Sequence, residues 1–105
     1  MAQMKIIEKV ISMIDDELDG AEEYAECALK VKSEYPSLAK RFNELSQVEM
    51  QHFRILHAEV EKLIQEYRDQ HGEPPASMLA VYKYEHEKAI KKAAEVKAMI
   101  EEFEQ

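Results

Sequence analysis

Glu49 and His52, in the stretch Leu45-Ser-Gln-Val-Glu-Met-Gln-His-Phe53, are the residues of this chain whose types and spacing best suit chemistry. On an α-helix a separation of three points a carboxylate and an imidazole the same way, one turn apart, where both can bind one metal ion. The spacing alone is a weak signal. With 18 Glu and four His in 105 residues, some Glu falls three places before some His by chance about half the time. Its meaning depends on where the pair points, and so on the helices that carry it.

Glycine (2) and proline (3) are scarce while 34% of the residues are charged and 46% hydrophobic, the composition of long helices in a single domain. A formal net charge of -8 with no basic cluster speaks against a nucleic-acid partner. No apolar run approaches a membrane span, and the opening Met1-Ala-Gln-Met-Lys-Ile-Ile-Glu lacks the apolar core of a signal peptide, so a soluble, cytoplasmic protein is expected. The lone Cys27 cannot form an internal disulfide or a cysteine-based metal site. Any metal must be held by Glu, Asp and His.

Periodicity predicts three helices, over about 3–33, 36–70 and 76–103, forming one all-α domain. Ser33-Glu-Tyr-Pro36 breaks the first from the second and His71-Gly-Glu-Pro-Pro75 the second from the third. The first carries a stripe of Ile7, Val10, Ile14, Ala21 and Ala28, interrupted by Glu17 and Tyr24. The second carries Leu38, Phe42, Leu45, Leu56 and Leu63, interrupted by Glu49, His52 and Glu59, and the third is interrupted by Tyr82 and His86. Burying such groups without partners costs several kcal/mol each, so a seam this polar calls for a cause.

The short connection at Tyr35 makes the first two helices antiparallel neighbours. At a rise of about 1.5 Å per residue, Glu17 lies roughly 24 Å from the turn, and Glu49 and His52 roughly 20 and 24 Å. Two carboxylates and an imidazole therefore meet at one height, a coincidence far more specific than the spacing. The third helix brings Ala93 and Val96 to that height, so one chain supplies half a ligand set and a second copy would double it to four Glu and two His. Glu59 and His86 also come out nearly level, which predicts a buried or half-buried hydrogen-bonded pair or, less simply, an auxiliary metal site. His57 and His71 are expected to be solvated, and Gly20 to ease close helix approach beside the site.

Glu17-Leu-Asp-Gly-Ala-Glu-Glu-Tyr24 followed by Phe42-Asn-Glu-Leu-Ser-Gln-Val-Glu-Met-Gln-His52 resembles the first half of a ferritin-like protein of the rubrerythrin branch, over residues 5 to about 65. The resemblance implies a non-haem di-iron site with Glu17, Glu49 and His52 as ligands and Tyr24 as a nearby phenol. It also implies ferroxidase or peroxide-reducing activity of the kind relatives show. The third helix carries no second Glu-x-x-His, and the rubredoxin-type centre is absent. The chain is thus similar to half-length, encapsulated ferritin-like proteins. That likeness implies a four-helix bundle completed by a homodimer or higher even-numbered oligomer, and a place inside a larger protein compartment. Two other readings of the same residues stay open: a small helical interaction or structural protein whose polar layer sets helix register, with no redox chemistry, and a site for Zn or Mn, structural in the case of Zn.

Overall fold

Proline and glycine set the corners of this chain, and helix-forming residues fill the spans between them. The computed structural model describes residues 2–105, in which α1 (Ala2–Val31), α2 (Pro36–His71) and α3 (Ala76–Glu104) follow one another, with no strand among the described residues. Each helix end falls within two residues of its expected place. Pro36 occupies the first turn of α2, where its missing N–H costs nothing, and the turn before it is closed by the Tyr35 N–H donating to Val31 O at 2.8 Å. Gly72 ends α2 at φ 79°, a conformation that favours glycine, with its N–H donating to Arg68 O at 2.9 Å.

Side-chain pairs give the directions. α1 and α2 run antiparallel: Gln3 bonds Gln70 at one end and the Tyr24 ring stacks on Phe42 towards the turn. α3 runs parallel to α1, its partners a constant 71 to 73 residues on. Lys92 Nζ donates to Asp19 at 2.6 Å and Lys32 Nζ to Phe103 O, while Lys88 approaches Asp15 at 3.7 Å. Three helices lie side by side in a rod of about 55 × 18 × 16 Å. Contacts are densest between α1 and α2, fewer between α1 and α3, and sparse between α2 and α3.

The core forms where small residues let backbones approach. Ala21, Ala25 and Ala28 of α1 meet Ala39 and Ser46 of α2, all fully or nearly fully buried. Ser46 has no exposed surface, and its hydroxyl donates to the Ala21 carbonyl at 2.7 Å, tying the helices together one turn from Glu49. Larger side chains fill most of the remainder: Ile14 and Leu18 from α1, Met50, Phe53 and Val60 from α2, and Val96, beside Ala89, from α3.

The buried face of α2 differs from the expected one by one residue. Its buried positions are Ala39, Asn43, Ser46, Met50, Phe53, Val60 and Tyr67, whereas Leu38 and Leu45, expected inside, are 46% and 42% exposed. One residue is about 100° of helix rotation. The larger leucines had suggested the core face, but tight packing against the alanines of α1 selects Ala39 and Ser46. The polar stripe positions are accordingly rotated out of the closed seam to its edge.

Ser46→Ala is expected to lower the unfolding free energy by about 1 kcal/mol through loss of the bond to Ala21. Ser46→Leu, forced between two backbones, should cost more, about 1–3 kcal/mol from overpacking alone. Urea titration of both variants measures the difference.

Candidate metal centre

Glu17 projects from the middle of α1, one residue before the buried Leu18, and Glu49 and His52 flank the buried Met50 on α2. Each is thereby held beside the helix interface by an apolar neighbour locked into it. One ligand atom from each of the three lies within 4.8 Å of the others. His52 Nδ1 is 3.2 Å from Glu17 Oε2 and 3.8 Å from Glu49 Oε1. The equal heights expected from helix rise are present as direct contact. The cluster draws no ligand from α3, which contributes alanines and Val96 to the core instead.

The site is an open half-cup. The Glu17 and Glu49 side chains are 26% and 25% exposed and that of His52 48%, so the carboxylates are partly dried while the imidazole stands at the rim. Gly20 forms part of the floor. A Cβ built there would lie 3.4 Å from Glu49 Oε2, in ordinary van der Waals contact with that carboxylate. The nearest atoms to position 20 belong to the Glu49 side chain and none to the α2 backbone, so the close helix approach expected there is not what Gly20 borders.

Two carboxylates this close cannot both hold full negative charge without cost. Glu49 is pushed above its ordinary value of 4.5, first by a side-chain hydrogen bond with Glu17, then by burial and by the Glu17 charge, with His52 opposing. The arrangement is one that a cation or a proton relieves. Its donors, two hard oxygens and an imidazole nitrogen, suit first-row divalent ions.

The other anticipated residues are distributed differently. Tyr24 lies two turns from Glu17 on α1, half-buried, its ring stacked on Phe42 at 6.2 Å between centroids. The expected Glu59–His86 pair does not form. Glu59 faces solvent and approaches Lys62 at 3.4 Å, and His86 instead contacts His57, with His57 Nε2 3.0 Å from His86 Nδ1. Residues 57 and 59 lie about 200° apart around the helix, so only one of them can face α3. His57, expected in solvent, is half-buried between the rings of Phe53 and His86, while His71 is exposed and packs on Tyr67. Glu59 and His57 occupy almost one height, and height alone did not tell them apart.

No helix among the described residues is long and apolar enough to cross a membrane. The chain matches no known family, no curated protein and no solved structure.

The raised Glu49 pKa sets the sign of a pH effect. An acid whose folded value exceeds its unfolded one binds protons more readily when folded, so the metal-free protein gains stability as pH falls through the raised value towards 4.5. Glu49→Gln should remove that contribution, giving higher stability at neutral pH and a flatter dependence below it. Chemical denaturation at several pH values in the presence of chelator reads both effects.

Proposed function

We propose that the chain is a ferritin-like di-iron protein that completes its site by pairing with a second copy of itself. Its work would be oxidation and sequestration of iron or the handling of peroxide. The observation that carries this reading is the convergence of Glu17, Glu49 and His52 within 4.8 Å at a half-open edge, with Glu49 driven towards protonation by its neighbour. A polar layer serving only to set register would need the two carboxylates to share a proton; a cation between them turns the repulsion into attraction without one.

The surroundings of the cluster support the pairing. Leu45 is one turn from Glu49 on the same ridge of α2, and Leu38 two turns further on; Met13 stands one turn from Glu17 on α1, with Ile6 beyond it. All four are 40–47% exposed, so the polar cluster is framed at both ends by uncovered apolar side chains. A two-fold axis through this face would bury them against their own copies and bring two Glu17, two Glu49 and two His52 together, in a four-helix arrangement of two hairpins.

In such a pair, the glutamates supply the negative charge that balances two divalent ions, and each His52 presents Nδ1 to the cluster, its ring held by contact with Glu17. Gly20 leaves space in which the Glu49 carboxylate can adjust. Bound iron would supply one-electron chemistry towards O2 or peroxide. Leu38, Leu45 and Met13 would exclude bulk water from the closed interface.

Iron content and mass in solution, measured together on protein purified without chelator, test the proposal. The expected result is an even-numbered oligomer with one iron per chain and an absorbance change when Fe(II) is added in air. Leu45→Lys should shift the protein to monomer with parallel loss of iron, and His52→Ala should lose iron while remaining folded. A metal-free protein in which His52→Ala and Glu49→Ala alter stability alone would refute the iron site. Tightly held zinc with no response to Fe(II) and O2 would instead assign a structural metal.

A further inference from the structure

A pair of nitrogen donors lies two helical turns from the first cluster, on the side of the molecule where α2 faces α3. His57 Nε2 and His86 Nδ1 are 3.0 Å apart, on helices that otherwise touch sparsely. As neutral imidazoles they can make one hydrogen bond, one ring donating and the other accepting. We propose that the two rings also form a chelate for a divalent transition-metal ion that prefers imidazole, Cu(II) or Ni(II), which would staple α3 to α2.

Three features of the site support this assignment. The first is the bite. With metal–nitrogen bonds of about 2.0–2.1 Å, nitrogens 3.0 Å apart subtend about 95° at a shared ion. That matches neighbouring positions of a square-planar or octahedral ion, whereas tetrahedral zinc would need the nitrogens opened to about 3.3 Å. Chelation requires each ring to turn from the hydrogen-bonded geometry so that both lone pairs meet at one point beside the N···N line.

The second is the orientation of His57. Its ring is held between Phe53 and His86, at 5.6 and 5.1 Å between centroids. Glu61 Oε1 lies 3.8 Å from Nδ1, the nitrogen facing away from His86. At that distance no hydrogen bond is made, but the carboxylate charge on the Nδ1 side favours the proton there and leaves Nε2 free to bind a metal.

The third is the space beside the pair. Both histidines border a cavity of about 620 Å³ between α1, α2 and α3. Glu85, which also lines it, has a buried carboxylate oxygen that makes no hydrogen bond and has Lys88 Nζ at 3.8 Å. There is room for water to complete a coordination sphere, and a negative charge from Glu85, adjacent to His86, to offset that of the ion.

The test uses full-length, metal-free protein and titrates with Ni(II) and Cu(II) salts alone. His52→Gln removes the imidazole of the first cluster and serves as the background, which separates this site from the proposed iron centre. In that background Cu(II) should give an electron paramagnetic resonance spectrum with splitting from two imidazole nitrogens, and Ni(II) should raise the melting temperature. Adding His86→Gln, an exposed position where folding is not at stake, should abolish the two-nitrogen signal and the thermal shift. Glu61→Gln should weaken Ni(II) binding by about tenfold, the scale of losing an outer partner of a metal-bound histidine. Equal Ni(II) binding with and without His86→Gln, or a single-nitrogen Cu(II) spectrum in the His52→Gln background, would overturn the proposal. Neither result would bear on Glu17, Glu49 and His52.

Discussion

The close approach of α1 to α2 is the constraint on which the rest of the structure depends. Alanines at 21, 25, 28 and 39 and the serine at 46 leave almost no side-chain bulk between the two backbones. At such separations a helix cannot slide by a turn or rotate by a residue without collision, because protein interiors are packed too densely to absorb the change. The hydroxyl of Ser46 bonded to the Ala21 carbonyl adds a directional lock to that steric one. Together they fix both the height and the rotation of everything else on the hairpin.

The position of the acidic cluster follows from that lock. Leu18 and Met50 are drawn into the interface and their neighbours Glu17 and Glu49 are left at its margin, close enough to interact and too poorly covered to be silent core. Had α2 been turned by one residue, as the larger leucines suggested, the same three ligands would have been sealed between the helices, with full desolvation to overcome. At the margin they are reachable by ions from solution and by the surface of a second molecule. Leu38 and Leu45 are displaced outwards by the same rotation, so the exposed apolar ridge and the half-open cluster have a single origin.

Much of this was legible in the sequence, and what was not can be traced to particular residues. The helix ends could be read because Pro36, Gly72 and Pro75 act locally, through their own backbone geometry. The meeting of Glu17 with Glu49 and His52 could be read because rise along a helix is nearly invariant, so counting residues from a tight turn measures distance. Rotation about the helix axis was less accessible. It is decided by which residues of two helices fit against one another, and alanine and serine give little hydropathic signal although they govern the fit here. The exchange of Glu59 for His57 as the neighbour of His86 is the same error at another site: the height was correct and the azimuth was not. The only signal that pointed to His57 was its place one residue beyond the leucine stripe, where the true buried face lies.

The unequal attachment of α3 gives the molecule a hierarchy of cooperativity. α1 and α2 share an extensive interface, whereas α3 is held by Ala89 and Val96 in the core and by lysine contacts with Asp15, Asp19 and Glu22, and it meets α2 sparsely. Amide protons of such a helix exchange with solvent through a partial opening whose free energy is below that of global unfolding. On the difference in interface extent, hydrogen exchange is expected to find the α1–α2 hairpin more protected than α3. Glu17, Glu49 and His52 all stand on α1 and α2, so loosening of the third helix removes no residue of the acidic cluster.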